Sequence, residues 1–154
     1  MGPLGGIASA LAEPGEPWRL VLSCDLALVD AEILEELTAR AASLETSNAD
    51  LVAPEAADGR LQPLCGLWRQ RVGPALARHL QTMQEDPGGD HRRLSVWRFT
   101  QTLHTASFRP ANPEKLRNIN TMRDYLAALG GHPLLDGRNQ AIPDSAKRTH
   151  GGAK

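Results

Sequence analysis

The chain has 154 residues and a formal net charge of -1, with 17 lysines and arginines against 18 aspartates and glutamates. That length suits one ordinary domain with a sizeable core, and the balanced charge leaves no basic footprint for nucleic acid or an anionic membrane. Cys24 and Cys65 are too few for a disulfide framework and fall in no Cys/His ligand spacing, so both read as small buried hydrophobes in a reducing cytoplasm. No apolar run approaches the roughly 20 residues a membrane span needs, and Met1 to Ala12 lacks the basic lead of a secretory signal. A soluble, unexported protein is expected.

In chain order, Gly2-Pro3-Leu4-Gly5-Gly6 reads as a glycine-rich turn that lets a ligand approach the backbone. A short helix from Ile7 to Ala12 follows, with an N-terminus that favours an anion; a frayed, flexible lead is the plain alternative. Leu20 to Cys24, entered from Pro14-Gly15-Glu16-Pro17, predicts a buried parallel strand. It stops at Asp25, placed at the sheet edge where open α/β sheets keep their ligands. A carboxylate there suits Mg²⁺, which takes one or two protein carboxylates beside waters and phosphates. Asp25 serves equally well as the start of a turn.

Asp30 is a good N-cap for a helix from Ala31 to Leu44, whose stripe is Ile33, Leu34, Leu37, Ala41 and Leu44. Glu35-Glu36 lies off that stripe and reads as a solvated face rather than an acid/base pair. Ala49 to Pro54 predicts a strand, Asp58-Gly59 a tight turn, and Leu61 to Trp68 the returning strand, its first half demoted by Pro63. Val72 to Met83 predicts a helix with Pro74 in its first turn and His79 at the boundary of its buried stripe.

After a loop at 85–90, Leu94 to Phe99 largely alternates apolar and polar and predicts a half-buried strand, with Thr100 to Thr105 extended or turning beyond it. Phe108 to Pro113 reads as a loop, Glu114 to Arg117 as one helical turn, and Thr121 as the cap of a helix from Met122 to Leu129. The basic, glycine-rich stretch from Asp136 to Lys154 has too little apolar surface to fold. The expected organisation is therefore a domain over 1–130 and a disordered tail over 131–154.

The order of these pieces resembles the molybdenum cofactor guanylyltransferases. The resemblance is carried by Gly2-Pro3-Leu4-Gly5-Gly6-Ile7, then Ser23-Cys24-Asp25, then Asp58-Gly59-Arg60 with Gln62-Pro63-Leu64 and Leu67-Trp68, and last Asn118-Ile119-Asn120-Thr121 with Asp124 and Leu126. It implies an α/β fold, a Rossmann-like mostly parallel sheet with flanking helices, and transfer of GMP from GTP to molybdopterin with release of pyrophosphate. By the resemblance Asp25 binds Mg²⁺ and the nucleotide, and Gly2, Gly5 and Gly6 lie beside the guanosine. Asn118 and Asn120 contact the acceptor, with Arg60 and Gln62 lining the same side. For the asparagines, cap and turn chemistry is the alternative. Small-molecule substrates and transient contact with molybdenum-cofactor proteins are also implied, with no nucleic acid and no membrane.

The family opens with Leu-x-Gly-Gly-x-Ser-x-Arg-Met-Gly and then a lysine, and this sequence contains no such segment; Ala27 also stands where the family has proline. The expectation is a domain incomplete at its N-terminus, marginally folded and impaired in catalysis, since a triphosphate needs cationic and backbone N–H partners. The alternatives are a non-catalytic molybdopterin-binding adaptor and a related CTP-dependent nucleotidyltransferase.

Overall fold

The computed structural model describes residues 2–85 and 95–128. The chain divides into two compact units, Met1–Asn120 and Thr121–Lys154.

In the first unit, helix α1 (Gly2–Ala12) leads into strand β1 (Trp18–Leu22), followed by helix α2 (Ala31–Ser43) and strands β2 (Leu51–Pro54) and β3 (Cys65–Arg69). Helices α3 (Gly73–Glu85) and α4 (Val96–Thr100), strand β4 (Thr105–Phe108) and a 3₁₀ turn at Pro113–Leu116 complete it. The sheet order is β1-β3-β2-β4. β3 runs against both β1 and β2, while β2 and β4 are parallel, so three strands point one way and β3 returns between them.

Strand alternation divides the core between two faces. Leu51, Ala53 and Trp68 turn to one face and pack with Leu4, Ile7 and Leu11 of α1, Val72, Leu76 and Leu80, and Phe99 of α4. Val52 and Leu67 turn to the other and meet Leu37 and Ala41 of α2. Helices on both faces of a sheet make the α/β architecture that the sequence implies. The Asp58-Gly59 turn forms as expected: Gly59 takes φ 80°, its N–H donates to Ala56 O at 2.9 Å, and the hairpin pairs Leu51 with Trp68. At Gly66 the requirement is space, because a Cβ there would lie 3.0 Å from both Leu51 Cδ1 and the Val52 carbonyl oxygen.

Arg69 is buried without a carboxylate. Its Nη2 donates to the carbonyls of Leu44 (2.8 Å) and Glu45 (2.7 Å), and its Nε to that of Ala49 (3.3 Å). Its guanidinium also lies 4.2 Å from the Trp18 ring centroid. The first two carbonyls sit just past the C-terminus of α2, where carbonyls lack helical partners and a cation suits the dipole. Nearby, Asp50 Oδ1 accepts from Arg71 Nε (2.9 Å) and Oδ2 from the His104 backbone N–H (3.1 Å).

Four local expectations are corrected. Gly2 to Gly6 is no turn but the opening of α1, which runs unbroken to Ala12 because Leu4, Ile7 and Leu11 recur at helical spacing and all bury. β1 begins and ends two residues earlier than expected and is half-exposed, with Leu20 48% and Leu22 46% accessible. Residues 96–100 are helical rather than extended, since Ser95 Oγ caps the Arg98 N–H at 3.2 Å; β4 starts after them. Cys24 is exposed, whereas Cys65 is buried and its thiol is pushed up to about 11 by desolvation.

In the second unit, helix α5 (Met122–Ala128) opens on a reciprocal cap: Asp124 N–H donates to Thr121 Oγ1 (3.1 Å) and Thr121 N–H to Asp124 Oδ2 (2.9 Å). The expected helix end at Gly130-Gly131 and the tail from 131 lie outside the described residues. Among the described residues no helix is long and apolar enough to cross a membrane.

Replacing Arg69 by Met should lower unfolding free energy by about 2–4 kcal/mol, the scale for losing a charged hydrogen-bonding group whose partners stay buried. Urea denaturation would measure it, and Arg69→Lys should recover only part, because an ammonium cannot reproduce the fork. Asp50 supplies a pH dependence. Desolvation raises its carboxyl, but the His104 backbone N–H and the Arg71 guanidinium outweigh it, so the folded value lies below the ordinary 3.8. The stabilisation is thus present above 3.8 and lost as pH falls through the lower folded value. Asp50→Asn should flatten the fall in stability below about pH 4 in acid titrations followed by circular dichroism.

Candidate functional site

Asp25 does not end β1. Pairing continues one residue past the strand, with Ser23 N–H donating to Leu64 O at 2.8 Å, and a turn then closes through Leu26 N–H to Ser23 O at 3.2 Å. Asp25 sits within that turn. Leu26 anchors it by burying against Ile33, Ala56, Cys65 and Leu116. Both features weighed from sequence, the strand's C-terminal edge and the turn, therefore hold together.

Two bonds fix Asp25 to a distant segment. Its backbone carbonyl accepts from Ile119 N–H at 2.7 Å, and its Oδ2 accepts from Asn118 Nδ2 at 2.7 Å. Its Oδ1 is buried and has no hydrogen-bond partner. A carboxylate oxygen withdrawn from water without a donor is costly, so the position favours an added donor or cation.

The segment bearing Asn118 is held in turn by the N-terminal part of α2. Asn112 Nδ2 donates to Glu32 Oε2 (2.9 Å), Ala111 N–H to Glu36 Oε1 (3.2 Å), and Lys115 bonds both Asp30 and Glu32. The Lys115 ammonium holds the Asp30 carboxyl below its ordinary range. Glu36, which sequence assigns with Glu35 to a solvated face, and Glu32 are thus tethers for the loop, and nothing in their helical spacing signals a partner some 80 residues on.

The third piece is the β2–β3 hairpin. Asp58 accepts the Arg60 backbone N–H (3.1 Å) and Arg60 Nε (2.6 Å), and these two contacts, in that order, lower its carboxyl. An exposed ion pair of this kind adds little stability, but it restricts where the guanidinium lies. Residues 59–62, Trp97, Asn118 and Asn120 surround one cavity of about 960 Å³. Arg60, Gln62, Asn118 and Asn120 therefore share one wall system, with Asn118 bonded to Asp25. Gly6 lines a different groove with Leu20 to Ser23 and Leu64, while Gly2 and Gly5 line neither. Sequence reasoning did not single out Trp97, because alternation over 94–99 masked the Ser95 cap that turns this stretch helical.

Among the described residues no group of three or more His, Cys, Asp or Glu could hold a metal ion. One carboxylate with a buried, unpartnered oxygen still fits a cation that takes most of its ligands from water and phosphate.

A helix-flanked α/β sheet with polar residues gathered beyond its strand ends is the arrangement in which open α/β folds hold ligands, and solved structures share the fold. Molybdopterin-guanine dinucleotide biosynthesis protein A from Archaeoglobus fulgidus superposes with a TM-score of 0.61 at 21% identity, covering 83% of this chain and 61% of that one. The chain belongs to the MobA-like NTP transferase family, whose domain matches residues 1–101. A Nostoc relative described as "Probable molybdenum cofactor guanylyltransferase" is 36% identical over 132 residues, and one of the same description from Bacillus subtilis is 33% identical over 125. The alignments cover 84% and 81% of this chain, which spans 57% and 58% of those relatives' lengths.

Asn118→Ala should destabilise the first unit by about 1 kcal/mol, the net worth of one hydrogen bond to a charged acceptor on a partly exposed loop. Denaturant unfolding would read it, and hydrogen exchange at the Ile119 amide should quicken as the loop loosens.

Proposed function

We propose that this chain serves the transfer of GMP from GTP to molybdopterin, with Asp25 on the nucleotide side and the cavity of Arg60, Gln62, Asn118 and Asn120 as the acceptor side. The observation that carries the reading is Asp25 itself: one carboxylate oxygen fixed by Asn118, the other buried and without a donor. In the reaction a phosphate oxygen of the acceptor attacks the α-phosphorus of GTP and pyrophosphate leaves, so the protein's task is positioning and charge neutralisation. Asp25 Oδ1 is the atom that would hold Mg²⁺, which supplies neutralisation of the phosphates. Asn118, bonded to Asp25 and lining the cavity, sets nucleotide and acceptor sides at a fixed separation. Asn120 and Gln62 offer amides that donate to and accept from a heterocycle's edge, and Arg60 offers an always-charged guanidinium for a phosphate.

Family kinship, together with the names of the Nostoc and Bacillus subtilis relatives, supports GTP and molybdopterin as the substrate pair. Gly2, Gly5 and Gly6 remain proposed neighbours of the guanosine, now as part of a helix start rather than a turn. The sequence of this chain holds no glycine-rich loop of the Leu-x-Gly-Gly-x-Ser type, and on that ground we assign the 154-residue chain weak turnover. A second reading, acceptor binding without chemistry, is favoured by the co-location of all four acceptor-side residues around one cavity while none of Gly2, Gly5 and Gly6 lines it.

The test is pyrophosphate release from GTP by the 154-residue chain with molybdopterin and Mg²⁺, alongside calorimetric titration of each ligand. Weak release that Asp25→Asn abolishes, with acceptor binding preserved, is the expected outcome. Rapid turnover would overturn the assignment of impairment. Acceptor binding with no release at all would favour the second reading, and failure to bind either ligand would overturn both.

A further inference from the structure

Trp97 is 60% exposed, although an indole is among the side chains with most to gain from burial. Its exposure is built into α4. Residues 97 and 99 lie on nearly opposite sides of a helix, and Phe99 takes the buried side, with its ring centroid 6.4 Å from that of Trp68 at an interplanar angle of 10°. The Ser95 cap starts the helix, and Thr100 Oγ1 donates to the Trp97 carbonyl at 2.7 Å, so the backbone carrying the indole is fixed at both ends. The indole then lines the cavity whose other polar members are Arg60, Gln62, Asn118 and Asn120.

A flat apolar face beside three primary amides and a guanidinium fits a flat, polar-edged heterocycle carrying a phosphate. The ring face stacks on the indole, the ring edge exchanges hydrogen bonds with amides, and the anion meets the guanidinium. Stacking of this kind tolerates a change of aromatic partner but not its removal. We propose that Trp97 is the stacking platform for the pterin ring of the acceptor, and thereby a positioning residue that selects a fused bicyclic heterocycle at this site. The inference rests on the acceptor-side reading above and adds a residue and a mode of contact to it.

The test titrates the full chain with neopterin monophosphate by calorimetry, for the wild type, Trp97→Phe and Trp97→Ala, with circular dichroism to verify the fold. Exposure of the indole makes both variants compatible with folding. Trp97→Ala should weaken binding roughly tenfold or more and Trp97→Phe by no more than about threefold, within the range found for base–aromatic stacking. Indole fluorescence quenched by the pterin in the wild type should lose that component in both variants. Equal affinity of Trp97→Ala and wild type would overturn the stacking role while leaving the acceptor reading standing, and so would equal weakening in both variants. No binding by folded wild type would overturn the acceptor reading and the stacking role together.

Discussion

The buried guanidinium of Arg69 is the constraint on which the sheet's arrangement most depends. A buried cation with no anionic partner is ordinarily unfavourable, and here it persists because carbonyl oxygens and an aromatic face stand in for water. Leu44 and Glu45 supply carbonyls past the end of α2, Ala49 one just before β2, and Trp18 the aromatic face at the start of β1. One side chain on β3 thus sets where α2 ends, where β2 begins and how the edge strand lies. Asp50 repeats the device one step along, joining the residue before β2 to Arg71 beyond β3 and to His104 before β4.

These contacts occupy one end of the sheet, and the candidate site occupies the other. β1, β2 and β4 run in one direction, and each delivers a loop of the candidate site at its C-terminal end: Asp25 after β1, residues 59–62 after β2, and Asn118 with Asn120 after β4. Open α/β sheets place ligands beyond the carboxyl ends of their strands, and the antiparallel β3 does not disturb the rule because it starts, rather than ends, on that side. The scaffold end is closed by hydrogen bonds that engage its charged side chains, while the site end keeps a carboxylate oxygen without a donor.

How much of this the sequence discloses follows from the range of the forces involved. The Asp58-Gly59 hairpin, the Asp30 cap and the Thr121 cap are legible because each is decided within four residues. The strand expected over Leu94 to Phe99 gives way to a helix at 96–100 for the same reason in reverse: alternation is a weak preference, and a single hydroxyl at Ser95 caps the helix. The glycines at 2, 5 and 6 suggest a turn only until Leu4, Ile7 and Leu11 are read as a stripe that buries. Arg69 and Glu32 could not be read at all, since their partners are backbone carbonyls or side chains brought near only by the finished fold. Asp25 lies between these cases. Its place beyond a strand is local, but the bond from Asn118 joins residues 93 apart.

That long-range bond has an electrostatic consequence for the site. A carboxylate can offer about four acceptor positions, and at Asp25 the protein engages Oδ2 through an amide that is neutral, rather than through an arginine or lysine. A cationic partner would have neutralised the group and removed its attraction for a second cation. A neutral donor fixes the orientation and leaves the charge in place. Arg60 differs in charge, because its partner Asp58 is a carboxylate, but that contact engages Nε and leaves the other donors of the guanidinium for directional hydrogen bonds. Both side chains are oriented by one bond and retain capacity for another. Fixed geometry with open hydrogen-bonding positions is what the proposed site would use, and the loops that bear it are anchored by Leu26, the Asp58–Arg60 contact and the Glu32 and Glu36 tethers.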